Sequence, residues 1–157
     1  MSHSNSKAVL PFYKGSLIIE GTEDTIVSIT YTNKQESEQT GTGEVHKAYV
    51  QMQEYLNNKR QLFDLNIHIN GTTFQQAIYK TLRSIGFHQT VSYQELATLA
   101  GYPKAARAVG QAMAGNKLLI VVPCHRVLAA NHKLGGFSGG LDLKRMLLTH
   151  EGTIYKE

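Results

Sequence analysis

Short apolar runs separated by glycine and charged residues make up the first third of the chain. They are the segments KAVLPFY, GSLIIEG and TIVSITYT. In the third run, Val27, Ile29 and Tyr31 alternate with polar residues, which is the period of a half-buried strand. The pattern therefore predicts three strands, followed by a polar loop over residues 33–43.

A helical period follows this loop. Val45, Tyr49, Met52 and Leu56 recur every three or four residues, so one face of a helix would carry all of them. The segment DLNIHIN then alternates again and predicts a further strand. Asn70-Gly71 is a turn signal, and we take it as the boundary between an N-terminal β-rich domain with one helix (residues 1–70) and a C-terminal domain (residues 71–157).

Helix-start signals dominate the second half. Thr73 with Gln76 and Ser92 with Glu95 have the spacing of capping boxes, in which two side chains satisfy backbone N–H groups at a helix start. Further helices are predicted over residues 104–115, with Pro103 in the first turn, and over 141–151, ending before Gly152.

Together these elements predict an α+β fold, with a β-rich lobe followed by a mainly helical lobe. The pair of helices joined through Gly101-Tyr102-Pro103 has the spacing of a helix-turn-helix, although many such pairs are ordinary core helices. In the last helix, Leu143 and Met146, together with Leu147, are predicted to be buried.

Composition excludes several classes of protein. Hydrophobic residues make up 41% and charged residues 18%, as in a globular protein, and the net charge of +4 is compatible with a polyanionic partner. No apolar run approaches the roughly 20 residues that span a bilayer, so we expect a cytoplasmic protein, associated with the nucleoid if it is bacterial or archaeal, and no membrane partner. One cysteine permits neither an intramolecular disulfide nor a multi-cysteine zinc site.

The single cysteine, Cys124, lies in the segment VVPCHRV, after an apolar run that Pro123 ends. Cysteine is often a small buried hydrophobe, and this interpretation is open. The alternative is a reactive thiol where a strand ends and a turn begins, activated by a base or a positive charge such as His125 or Arg126. Local sequence alone leaves both possibilities.

The segment NKLLIVVPCHRV closely resembles the active-site signature of the O6-alkylguanine-DNA alkyltransferases, also called methylated-DNA–protein-cysteine methyltransferases. The resemblance continues through VSYQELATLAGYPKAARAVGQAMAGN upstream and GGFSGGLDLKRMLLTHEG downstream, covering about residues 72–153. The N-terminal lobe is compatible with the family's variable, RNase H-like domain. The segment SIGFHQTVSY departs from the family's Pro-Tyr-Gly pattern, so the resemblance does not predict the loop over residues 86–90.

The resemblance implies DNA repair by direct damage reversal, in which an alkyl group leaves O6 of guanine, or less readily O4 of thymine, for the sulfur of Cys124. His125 would take the thiol proton through water, and Glu151 would orient His125. Asn116 matches a hinge asparagine that tightens the turn before the cysteine, and Tyr93 matches a tyrosine that hydrogen-bonds the flipped base. Taken singly, Tyr93, Asn116 and Glu151 also fit packing, helix-capping and surface roles.

The resemblance also implies contacts with double-stranded DNA that contains O6-alkylguanine. Arg107 would fill the gap left by the flipped base, and its helix would enter the minor groove. Small residues would let the helix approach the DNA closely, and Lys104 would bind a phosphate. Ser138 would donate to guanine O6, and the Val127 carbonyl would accept from the guanine amine. The small residues are Ala106, Ala108 and Gly110.

The reaction would run once per molecule, because a thioether is a poor leaving group. We expect a monomer that uses no cofactor and no metal. A DNA-binding module or redox regulator would keep the helix pair and the cysteine but would not need Tyr93, Glu151 and the GFSGG loop together, and a cysteine hydrolase would need an oxyanion hole. Alkyltransferase-like proteins replace the cysteine, so Cys124 argues against that class.

Overall fold

The structure is a computed structural model that describes residues 5–137 and 139–157. The chain forms two compact units. Among the described residues, the first unit contains the chain up to Ile69 together with Lys117–Leu119, and the second contains the rest, from Asn70 to Asn116 and from Ile120 onward. The first unit holds a four-stranded antiparallel sheet and the second is mainly helical, so the predicted α+β class is confirmed.

The sheet of the first unit consists of strands β1 (Asn5–Phe12), β2 (Gly15–Thr22), β3 (Ile26–Thr32) and β4 (Gln39–Thr40), in the order β3-β2-β1-β4. Helix α1 (Gly43–Leu56) packs against β1 and β2. Of the predicted stripe, Val45, Tyr49 and Met52 are buried, and Leu56 is half-buried. The predicted loop over residues 33–43 is interrupted by β4, whose two exposed polar residues carry no apolar alternation that could reveal a strand.

The segment DLNIHIN does not form a strand, although its alternation is real. Leu65 is buried, but only Ile67 pairs, in a single parallel bridge with Ile26. The other side of β3 is covered instead by Lys117–Leu119, because Ile29 N–H donates to Lys117 O at 2.7 Å and Leu119 N–H donates to Ile29 O at 3.1 Å. Alternation reports burial on one face, and it does not report which neighbour supplies the hydrogen bonds.

The second unit contains α2 (Thr73–Leu82), β5 (Val91–Ser92), α3 (Tyr93–Leu99), α4 (Ala106–Ala114), β6 (Val127–Leu128) and α5 (Leu141–His150). Strand β5 pairs in parallel with β6. The capping box of Ser92 and Glu95 is present as predicted. The box predicted for α2 was wrong by one residue, because Thr72 and Gln75 form it and the helix begins at Thr73.

Helices α3 and α4 pack together, as expected for a helix-turn-helix. Gly101 has a φ of +90° in the connection, which favours glycine. The prediction that α4 includes residues 104–115 was too long at its start, since α4 begins at Ala106. Ala105 N–H donates to Tyr102 O at 3.0 Å, so Pro103 lies in a turn before the helix rather than in its first turn.

The last helix, α5, buries Leu143 and Leu147 as predicted, whereas Met146 is only half-buried. The inner face of α5 is instead completed by Lys144 and Leu148. None of the helices in the described ranges has both the length and the apolar character needed to cross a bilayer.

Candidate active site

Cys124 opens a 3-10 turn over Cys124–Arg126, directly after Pro123, and only 3% of it is exposed. The apolar residues before it are buried in irregular backbone rather than in a regular strand, which corrects the expectation that Cys124 ends a strand. Asn116 fixes this segment from the end of α4. Its Nδ2 donates to Val122 O at 2.9 Å and to the Cys124 sulfur at 3.1 Å.

The buried position of Cys124 controls its acidity. Burial raises the pKa of the thiol to about 11, although the hydrogen bond from Asn116 and the positive charge of Lys144 act in the opposite direction. At neutral pH the thiol is therefore protonated, and it needs a base that removes its proton when it reacts.

The next residue carries a side chain that can act as a base. His125 is fully buried, and its Nε2 lies 2.7 Å from Glu151 Oε2. An ionised carboxylate only accepts hydrogen bonds, so Nε2 carries the hydrogen and Nδ1 of the neutral ring is left as an acceptor. Nδ1 is buried and has no hydrogen-bond partner among residues 5–137 and 139–157.

Glu151 is the residue that follows α5, and Arg126 also binds it. Arg126 donates from Nε to Oε1 at 2.9 Å and from Nη2 to Oε2 at 3.1 Å, while its Nη1 donates to Ile85 O at 2.7 Å. Burial favours the neutral acid, but the hydrogen bond from His125 and the ion pair with Arg126 outweigh it and hold the pKa of Glu151 well below its ordinary value. Burial lowers the pKa of His125, with Glu151 opposing.

Beside the thiol lies a cavity of about 200 Å³. It is lined by Tyr93, Gly110, Met113, Ala114, Cys124, Gly136 and Phe137. Burial raises the pKa of the Tyr93 hydroxyl, which therefore stays a hydrogen-bond donor at neutral pH. Gly135 has a φ of +67°, and a Cβ there would lie 2.9 Å from the Tyr93 hydroxyl, so both the backbone conformation and the close approach favour glycine.

Lys144 binds the backbone of Gly136, which lines this cavity. It is completely buried, and its Nζ donates to Val127 O at 2.7 Å, to Gly136 O at 3.0 Å and to Leu134 O. Burial lowers the pKa of its ammonium to about 8. Three carbonyls thus solvate one buried cation and tie the segment that carries Gly136 to α5.

Comparison with known proteins gives the family. The sequence model described as "6-O-methylguanine DNA methyltransferase, DNA binding domain" matches residues 73–153, which is just over half of the chain. The chain belongs to the O6-methylguanine DNA methyltransferase family. The constitutive methylated-DNA–protein-cysteine methyltransferase of Bacillus subtilis is 38% identical over 153 residues, covering 91% of this chain and 93% of that protein.

Other members of the family match this chain over different lengths. The human methylated-DNA–protein-cysteine methyltransferase is 53% identical over 78 residues, which are 50% of this chain and 38% of the human protein. Among solved structures, the Mycobacterium tuberculosis O6-methylguanine methyltransferase matches with a TM-score of 0.83 and 33% identity, covering 94% of this chain and 93% of that one. The same mycobacterial protein in complex with DNA gives a TM-score of 0.84 and 33% identity, covering 93% and 92%.

In this family member, the structure brings together most of the residues predicted for catalysis. Cys124, Tyr93 and Gly110 line one cavity, Asn116 contacts the sulfur, and the ring of His125 is bound to Glu151. Ser138 lies outside the described residues. The Val127 carbonyl, expected to accept from guanine, already accepts from Lys144 Nζ.

The other residues predicted to contact DNA lie on or just before α4. Arg107 is exposed, and Lys104 is exposed in the turn before the helix. Ala106 and Ala108 are partly buried. Arg107, Gly110 and Ala114 are spaced at i, i+3 and i+7 and therefore share one face of α4, on which the latter two line the cavity.

One residue of the site was not predicted, and another was predicted with a different partner. Lys144 resembles a solvated helix charge, but its spacing to Leu148 was a sign that it lies on the apolar face of α5. Arg126 was considered as an activator of Cys124, whereas its guanidinium binds Glu151. Across residues 5–137 and 139–157, no three His, Cys, Asp or Glu side chains are grouped so that they could hold a metal ion.

Proposed function

We propose that this protein repairs alkylated DNA by moving an alkyl group from O6 of guanine in duplex DNA to the sulfur of its own Cys124. The observation that carries the proposal is the position of Cys124, which lines a cavity beside Tyr93 while its neighbour His125 is paired with Glu151. Membership of the methyltransferase family gives the same activity.

The thiol gives up its proton as it attacks. A water molecule carries the proton from the sulfur to Nδ1 of His125, whose Nε2 keeps its hydrogen on Glu151. The new S–C bond forms as the C–O6 bond breaks, and the electron pair of that bond remains with the guanine, which leaves as an anion and then takes a proton from water. Tyr93 donates to the departing base, and its raised pKa keeps the required hydrogen in place.

The base reaches the cavity by rotating out of the duplex. Extrusion of a nucleotide costs a few kcal/mol, roughly the energy of lost stacking and pairing. Arg107 occupies the gap, since it is exposed on the face of α4 that continues to Gly110 and Ala114 at the cavity. The small side chains of Ala106 and Ala108 allow that helix to enter the minor groove, where recognition depends little on sequence. Lys104 binds a phosphate.

The product is a thioether, from which the thiol is not regenerated, so each monomer reacts once. We also propose that Ser138 donates to guanine O6, as in the family pattern. The Val127 carbonyl has a second lone pair and accepts from the guanine amine while it holds Lys144.

Mass spectrometry tests the proposal directly. After incubation with a duplex that carries O6-methylguanine, the full-length protein should gain one methyl group on Cys124, in a ratio of one per molecule. Cys124→Ser should remain unmodified while it keeps its fold and its affinity for DNA. Catalytic turnover, an unchanged mass or a methyl group on another residue would contradict the proposal.

A further inference from the structure

Arg126 lies inside the catalytic cluster but does not contact the thiol. It is 5% exposed, and its Nε, Nη1 and Nη2 all donate within the protein, two of them to Glu151 and one to Ile85 O. The carboxylate oxygen Oε2 accepts from both Arg126 Nη2 and His125 Nε2. One buried carboxylate is therefore shared between a permanent cation and the imidazole.

Because Arg126 and His125 share the carboxylate of Glu151, the charge of Arg126 sets the net charge of these three side chains. The positive charge of Arg126 cancels the negative charge of Glu151, so the three side chains carry no net charge when His125 is neutral. Without Arg126, the cluster would hold an uncompensated buried carboxylate, which would bind one more proton.

The extra proton would block the reaction wherever it resided. If His125 held it, both ring nitrogens would carry hydrogens. If Glu151 held it, the acid would donate to Nε2, and the hydrogen of the neutral ring would move to Nδ1. In both cases Nδ1 could not accept the proton of Cys124.

We propose that Arg126 is a positioning residue that keeps His125 neutral, with Nδ1 free to accept, before the alkyl transfer. The inference rests on the proposed function, because it assumes that the Cys124 proton passes to His125. The other groups that face this pair are Lys144 of α5, whose charge also disfavours an imidazolium, Cys124 itself, and His88, whose Nδ1 lies 2.9 Å from Glu151 O.

The test is the pH dependence of the single-turnover rate with free O6-benzylguanine, measured from about pH 5 to pH 9. Arg126→Met should move the acid limb of the profile upward by about one pH unit or more. At pH values below both midpoints the rate would then fall about tenfold, while the rate at pH 9 would stay within about threefold of wild type. Arg126→Lys, which keeps the charge, should retain the wild-type midpoint.

A rate that falls equally at every pH would mean that Arg126 only supports the fold, and an unchanged profile would mean that it does nothing for His125. Either result overturns the inference. The ¹⁵N NMR spectrum of the His125 ring in the wild-type protein is a second test that needs no variant. A neutral ring with hydrogen on Nε2 at pH 7 supports the inference, and an imidazolium overturns it.

The proposed function can be disproved independently of the role of Arg126. If wild-type protein transfers no alkyl group, the proposed function is wrong whatever Arg126 does. If wild type transfers the group but His125→Gln keeps the wild-type acid limb, the proton relay is wrong. The role of Arg126 is decided only by the comparison of its variants with an active wild type.

Discussion

Lys144 and Glu151 show how the surroundings of a charged residue decide whether its side chain is buried or solvated. Both are charged residues of, or next to, α5, and both would be solvated on an isolated helix. Lys144 is buried because three carbonyls surround its Nζ, and Glu151 is buried because His125 and Arg126 donate to both of its oxygens. A buried charge is tolerated only with such partners.

Glu151→Gln should therefore destabilise the protein at pH 7 by about 3–5 kcal/mol, because Arg126 would remain buried without its counter-charge. The folded-state pKa of Glu151 is depressed, so its contribution is present above the unfolded value of about 4.3 and is lost as the pH falls through the folded value. The difference between variant and wild type should then shrink below about pH 4.

Urea unfolding at a series of pH values measures this difference. Glu20→Gln, at an exposed position of β2, is the matched control and should change the free energy of unfolding by less than about 0.5 kcal/mol. A Glu151→Gln loss that stays constant down to pH 3 would contradict the assignment of an ionised Glu151.

At the scale of elements, the first residues of two short helical segments, Tyr93 and Cys124, line the same cavity. Tyr93 is the first residue of α3, and the capping box of Ser92 and Glu95 fixes where that helix begins. The turn of Cys124–Arg126 leads into β6, which pairs with β5 just before Tyr93. Two short elements therefore hold the thiol and the tyrosine hydroxyl at the same cavity.

The start of α2 offers a test of the corrected capping box. Thr72→Ala should lower the free energy of unfolding by about 1 kcal/mol, because the Gln75 N–H loses its acceptor at 3.1 Å. Thr73→Ala is the matched control, since Thr73 is exposed and follows the cap, and it should cost less than about 0.5 kcal/mol. Equal losses in thermal or urea unfolding would contradict this cap.

At the scale of the whole molecule, recognition of DNA and chemistry on the base are separable. The cavity and the Cys124–His125–Glu151 group lie in the second unit, and Arg107 is exposed on α4 of the same unit. Under the proposed function, a substrate that is already a free base would use the cavity and the thiol but would have no duplex to hold open.

Arg107→Ala should accordingly slow repair of O6-methylguanine in duplex DNA by about tenfold or more, because extrusion of the base costs a few kcal/mol. Its reaction with free O6-benzylguanine should remain within about twofold of wild type, since no base is extruded. Arg83→Ala removes the same charge from another exposed position of the unit and controls for lost electrostatic attraction. Equal losses of Arg107→Ala on both substrates would contradict a role in base extrusion.

The chain pattern by itself determined the three long strands, helix α1, the helical second half and the cap at Ser92, because local periodicity and side-chain capping decide these features. The residues around VVPCHRV were also sufficient to indicate the family. Tertiary structure alone decided that Lys117–Leu119 completes the edge of β3, that α4 begins at Ala106, that Lys144 is buried and that Arg126 binds Glu151. The partners that decide these features are distant in sequence, and a charged residue alone does not reveal whether water or a buried group will solvate it.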